Sequence, residues 1–348
     1  MLALGGGAPA AGQEGPGEGQ AAAARTVDVL YVTDRRRGSG ADDGSGYGGE
    51  RGPVDYGRCS VTYSPIPVLE DLAQRLPFYV PEALQDVRPA PLADAAGLHD
   101  AVDRWLRGGE GRKLVLFVHG YSQDFERACR RAGALQRALG PERRVVLFTW
   151  PSDGDPTAYA SDTTDMEWSI PDLAALVSAF ADRFGGRRLQ VVAHSLGARA
   201  VMLALERLHC APGARRYVGD LVLIAPDIDR DIFLQRYGGI RRLTGPVTLY
   251  VSENDAAMAL SRRLHGHPRL GQGGEYLTVA AGMETVDVTP IGRYQITGHE
   301  YHYYHPRVAR DLRERLSGGL SAEARTGLEP RTRGGRRWWS MQPLDEVQ

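Results

Sequence analysis

With 348 residues, the chain has room for one large domain or two ordinary ones. Its 42% hydrophobic and 24% charged content is that of a globular protein and excludes wholesale disorder, and no run approaches the roughly 18 consecutive apolar residues of a membrane-spanning helix. The 42 basic residues nearly balance 43 acidic ones, so net charge supplies no bulk electrostatic reason to bind nucleic acid.

Residues 1–25 are rich in Gly, Ala, Pro, Glu and Gln and contain no aromatic residue, so they bury too little apolar surface to offset ordering and are read as disordered. The start Met1-Leu2-Ala3-Leu4 lacks the basic residues and long apolar core of a signal peptide. A cytoplasmic chain is the reading as written; the alternative is export, with this segment the remnant of a longer signal. Val27–Thr33 alternates apolar and polar residues and pairs with Cys59–Tyr63 as an opening hairpin around a Gly-rich loop at 36–53. Leu114–His119 is a continuous apolar run, as in a strand covered on both faces. A helix over Phe125–Leu139 stops at Gly140-Pro141, and Val145–Thr149 is the next buried strand.

The acidic stretch Pro151–Trp168 reads as a long loop, and Ser169-Ile-Pro-Asp172 has capping-box spacing for a helix over Leu173–Phe184. Leu189–Ala193, Leu221–Ala225, Val247–Val251 and Thr285–Val288 read as further strands. Helices are expected over Leu196–Leu208, Ala256–Leu264 and Val308–Leu316. From Ser317 the chain is polar and Gly/Arg-rich and reads as a flexible tail; Trp338-Trp339 beside Arg336-Arg337 is an element that docks on a partner or a membrane interface, or the tail folds back on its own domain or stays loose. The three cysteines Cys59, Cys129 and Cys210 make no disulfide framework and no metal spacing; the last two read as buried or incidental thiols. Apolar strands alternating with helices predict a mostly parallel central sheet with helices on both faces, an α/β class whose functional groups lie at the carboxyl ends of the strands.

At one of those ends stands Ala193-His194-Ser195-Leu196-Gly197, a serine between a strand and a helix with a small residue two positions to either side. Such a turn pushes the hydroxyl out of the sheet edge, and the helix N-terminus behind it offers N–H groups to a developing oxyanion. The first buried strand ends in His119-Gly120-Tyr121-Ser122; the N–H of Tyr121 is the candidate partner of the Leu196 N–H in an oxyanion hole. His119 itself reads as a structural hydrogen-bonder.

On these residues the chain resembles the α/β-hydrolase superfamily, and more narrowly a bacterial α/β-hydrolase group catalogued as a domain of unknown function. The matching stretches are YVTDR (31–35), FVHGY (117–121), FTWPS (148–152), Tyr159 with Asp162, VVAHSLGAR (191–199), LIAPDID (223–229), VSENDAAM (251–258) and GHEY (298–301). The resemblance implies the α/β-hydrolase fold over roughly 27–316 and a serine hydrolase with nucleophile, acid and base in that chain order. Ala193 stands where the superfamily more often has glycine. A serine hydroxyl needs a base, and the base an orienting acid. Asp255 follows the strand at 247–251 and is the acid chosen, with Glu253, Asp227 and Asp229 as alternatives and a plain helix cap as the competing role. In the late loop, His299 is the base chosen and His302 the fallback. The string His299-Glu300-Tyr301-His302 is one residue short of a zinc-protease motif, so no metal is expected. Tyr159, Asp162 and Trp168 are candidate substrate-pocket residues. The expected activity is cleavage of a carboxylic ester or acyl lipid without a cofactor. A thioesterase or acyltransferase could use the same residues, and a non-catalytic binding module is the reading from another class.

Overall fold

The computed structural model describes residues 25–38, 46–63, 85–293 and 297–343. The disordered segment expected over 1–25 lies outside the described residues apart from Arg25, as does much of the Gly-rich loop. Eleven strands make one sheet: β1 (Arg25–Arg37), β2 (Tyr47–Tyr63), β3 (Gln85–Pro91), β4 (Lys113–Val118), β5 (Arg143–Thr149), β6 (Leu189–His194), β7 (Asp220–Ile224), β8 (Val247–Val251), β9 (Met283–Asp287), β10 (Leu328–Arg333) and β11 (Arg336–Met341). Their order is β10-β11-β9-β8-β7-β6-β4-β5-β1-β2-β3. The centre is parallel from β1 through β9, and β2 and β3 pair antiparallel at one side as the opening meander.

Among the described residues, eight α-helices flank it: α1 (Ala95–Arg107), α2 (Phe125–Leu139), α3 (Tyr159–Phe180), α4 (Leu196–His209), α5 (Arg230–Leu243), α6 (Ala256–His265), α7 (Tyr301–Tyr304) and α8 (Pro306–Leu316). The unbroken apolar runs of the central strands follow from burial on both faces. Along β4, Leu114, Leu116 and Val118 enter the core under α1, α3 and α4, whereas Val115 and Phe117 enter the one under α2 and α8. Phe117, Val192 and Val222 have no exposed surface, and burial of such a side chain contributes about 2–3 kcal/mol.

Four expectations are corrected. The stretch read as a loop up to Trp168 is helical: α3 starts at Tyr159 and carries Pro171 inside it. Ser169 therefore caps nothing; its hydroxyl donates to the Asp165 carbonyl one turn back. The tail is not loose: β10 and β11 form a hairpin, and β11 pairs parallel with β9 through Trp339–Val286 and Ser340–Asp287. It covers what would otherwise be the open edge of β9. Arg325, buried and paired with Asp311 and Glu284, fixes the chain that leads to it. Finally, Cys59 of β2 and Cys129 of α2 form a disulfide across 70 residues of sequence. Their Cα atoms lie 6.1 Å apart because α2 packs on the opening strands, a proximity that spacing does not reveal. Cys210, read as buried or incidental, is exposed.

Candidate active site

The first element of the site is the turn between β6 and α4. Ser195 has φ 52° and ψ −121°, a backbone conformation that a side-chain-bearing residue rarely adopts. Three bonds hold it there: the Ser195 N–H donates to the Ile224 carbonyl at 3.0 Å, and its carbonyl accepts from the N–H groups of Asp227 at 3.1 Å and Ala198 at 3.0 Å. The neighbouring small residues have a steric cause. A Cβ on Gly197 would lie 2.2 Å from the His119 carbonyl oxygen, and one on Gly120 would lie 3.0 Å from the Ser195 Cβ. The end of β4 thus backs directly on the serine. The N–H groups of Leu196, first residue of α4, and of Tyr121 have no acceptor among the described residues. Beside them, Ser122 is at φ 57°, with its N–H held by the Asp162 carboxylate at 2.9 Å.

The second element comes from the loops after β8 and β9. Asp255 Oδ2 lies 2.7 Å from His299 Nδ1, and the carboxylate is fully buried while the imidazole keeps 12% exposure. Asp255 Oδ1 accepts from the Met258 N–H at 2.9 Å and caps α6, so its two oxygens face different partners. The His299 loop is docked on the serine turn: its carbonyl faces His194 Nε2 at 3.3 Å, and the two rings are 4.6 Å apart. Burial alone would lower the His299 pKa; the adjacent Asp255 carboxylate outweighs it, and the net shift is upward from the ordinary histidine value. His299 Nε2 and the Ser195 hydroxyl hold no hydrogen bond to a described residue.

The comparisons with known proteins bear on the family and the fold. The family model described as "Alpha/beta hydrolase of unknown function (DUF900)" matches residues 95–316. The chain belongs to this α/β-hydrolase family. An uncharacterized protein, alr1448, from Nostoc sp. is 26% identical over 37% of this chain, and the chain spans only 41% of that relative's length. Among solved structures, lipase B of Aspergillus fumigatus shares 19% identity over 66% of this chain and 59% of its own, with a TM-score of 0.40. An esterase of Pyrobaculum calidifontis shares 13% over 85% and 87%, with a TM-score of 0.38. The RedJ thioesterase of the prodiginine pathway in Streptomyces coelicolor shares 16% over 61% and 92%, with a TM-score of 0.34. All three are distant likenesses of fold and decide nothing about substrate.

The remaining expectations fare differently. Tyr159 lies at the site, its ring edge-on to Tyr121 at 5.3 Å and its hydroxyl donating to Asp227 at 2.6 Å. Asp162 cannot line a pocket: it has no exposed surface, and its carboxylate is spent on the Ser122 N–H, the Ser152 hydroxyl and the Asp153 N–H. Trp168 sits on the outer face of α3 under the Arg51 guanidinium, 5.6 Å from the ring centre, with 37% exposure. Asp227 is buried against Arg269 and Ser261, each at 2.6 Å; burial would raise its pKa, but these partners hold it below the usual carboxylate range. Asp229 caps α5. Neither hydrogen-bonds to His299 among the described residues, although the Asp227 charge helps to raise its pKa.

His302 is buried behind His194 with both ring nitrogens unpartnered, and burial holds its pKa well below the ordinary value, so it is no substitute base. Sequence reasoning missed Arg35. Its side chain is buried at the end of β1 and donates to the carbonyls of Gln123, Ser152 and Gly48 and to the Thr149 hydroxyl. The signal available was its place in the YVTDR stretch (31–35), to which no role had been given.

Proposed function

We propose that the chain is a serine hydrolase that cleaves small carboxylic esters through an acyl-enzyme. The observation that carries this reading is the buried Asp255–His299 bond of 2.7 Å, docked on a turn where Ser195 takes a strained backbone conformation. Asp255 accepts a hydrogen bond from the Nδ1–H and so keeps Nε2 unprotonated on the other side of the ring. Ser195 attacks the ester carbonyl as Nε2 takes its proton, and the resulting imidazolium is stabilised by Asp255. The negative oxygen of the tetrahedral intermediate is received by the free N–H groups of Leu196 and Tyr121, with the α4 dipole behind them. The imidazolium returns its proton to the leaving alcohol, and water then repeats the sequence on the acyl group. Tyr121, in the loop that carries the second oxyanion N–H, packs edge-on against Tyr159, an apolar surface suited to an ester rather than to a charged substrate. Catalytic hydrogen bonds are often long until substrate arrives, which accords with the open Ser195 hydroxyl.

The test is turnover of p-nitrophenyl acetate and covalent labelling by a fluorophosphonate. Wild type should do both, and Ser195→Ala should retain the fold while losing both, with kcat down by about 10³-fold or more. Undiminished turnover in the folded alanine variant would remove Ser195 from the mechanism.

A further inference from the structure

Three groups that the proposed chemistry does not use line up behind Tyr121. Arg35 Nε donates to Thr149 Oγ1 at 2.9 Å, Thr149 Oγ1 lies 3.0 Å from His119 Nε2, and His119 Nδ1 lies 2.7 Å from the Gly120 carbonyl oxygen. The donors can be assigned. A carbonyl only accepts, so His119 carries its proton on Nδ1. In a neutral ring Nε2 then accepts, and the Thr149 hydroxyl donates to it. The ring is neutral because it is wholly buried near the Arg35 cation, which brings its pKa down to about 3. It is also clamped by stacking on Trp150, with centroids 5.0 Å apart, while the Trp150 indole N–H donates to the His119 carbonyl at 3.2 Å.

A trans peptide is planar, and its C=O and N–H point in opposite directions. Fixing the Gly120 carbonyl therefore fixes the direction of the Tyr121 N–H. The next peptide is fixed as well, by Asp162 on the Ser122 N–H. Arg35 reaches the same loop a second time through the Gln123 carbonyl at 2.6 Å and joins it to the end of β5 through the Ser152 carbonyl at 2.8 Å.

We infer that Arg35, Thr149 and His119 are a positioning chain that aims the Tyr121 N–H into the oxyanion site. This rests on the serine-hydrolase reading for its catalytic meaning, but not for its geometry. None of the three touches the reacting atoms. A cation at the head of the chain polarises the Thr149 hydroxyl, which holds the His119 tautomer, which holds the peptide plane; hydrogen bonds in such a series strengthen one another in a low-dielectric interior.

The experiment uses Thr149→Val, which deletes the hydroxyl with little change of volume, and Thr149→Ser, which keeps it. Valine should leave the KM for p-nitrophenyl acetate within about twofold and lower kcat about 10- to 100-fold, less than the roughly 100- to 1000-fold loss on deleting an oxyanion donor outright. The inhibition constant of an arylboronic acid, which mimics the tetrahedral species, should weaken in parallel with kcat, and serine should restore both. A folded valine variant with unchanged kcat, or a loss that serine fails to rescue, overturns the inference. If valine prevents folding, Thr149→Cys is read against Thr149→Ser in the same way. Nitrogen-15 NMR of the imidazoles is independent of turnover: His119 should carry its proton on Nδ1 in the wild type. A proton on Nε2 there refutes the chain even in an active enzyme. A fluorophosphonate-inert wild type with the Nδ1 proton in place would instead refute the serine-hydrolase reading and, with it, the catalytic role of the chain.

Discussion

The two oxygens of Asp255 face different partners, one the α6 N-terminus and the other His299. Replacing it with asparagine preserves a capping oxygen and the shape, yet presents either a neutral acceptor or an N–H to the imidazole. The expected kcat loss is on the order of 10⁴-fold, because the favoured tautomer places the proton on the wrong nitrogen. The sign of the pH effect follows from the upward shift of His299. Activity needs the neutral base, so kcat/KM in the wild type should rise with pH to a plateau, with its midpoint above the ordinary histidine value near 6.5. Asp255→Asn removes the charge that raises His299, so the residual activity should have its midpoint moved to lower pH. A pH–rate profile of both proteins checks this; equal midpoints would mean that another group sets the wild-type profile.

At the scale of elements, the site depends on how closely α4 approaches the end of β4. Gly197 makes that contact, facing the carbonyls of His119 and Val118 where a methyl group has no room. Gly197→Ala should therefore displace the helix start or the Tyr121 loop, at a cost of about 1–3 kcal/mol in stability. Calorimetry should show a fall of a few degrees in thermal midpoint. Fluorophosphonate labelling at a temperature where the variant is folded should slow by a larger factor, since the Leu196 N–H and the serine move with the helix. Unchanged labelling would mean that the turn tolerates the strain.

Across the whole molecule, the opening and closing segments both complete the sheet, and they do so at opposite ends of it. Ending the chain after Gly327 would remove β10 and β11 and bare the β9 edge while leaving Arg325 in place. The expected result is a lower thermal midpoint together with concentration-dependent self-association in size-exclusion chromatography, because an uncovered strand edge pairs with other chains. An unchanged elution volume and midpoint would make the hairpin incidental.

The sequence by itself determined the central architecture and the serine turn. Runs such as Leu114–His119 and Val191-Val192-Ala193 can be stable only as strands buried on both faces. A serine between such a strand and a helix, with glycine two places on, leaves little choice of local geometry. Those signals are local in the chain. Only the tertiary structure shows which of Asp227, Asp229 and Asp255 meets His299, since each follows a strand and two of them cap helices equally well. It also decided that Asp162 is internal cement, that Cys59 meets Cys129, that the arginine-rich end is a strand pair, and that Arg35 reaches two loops 88 and 117 residues away. Each of these depends on which distant segments share a place in space, and hydrogen-bond partners at such separation leave no periodicity for a sequence to display.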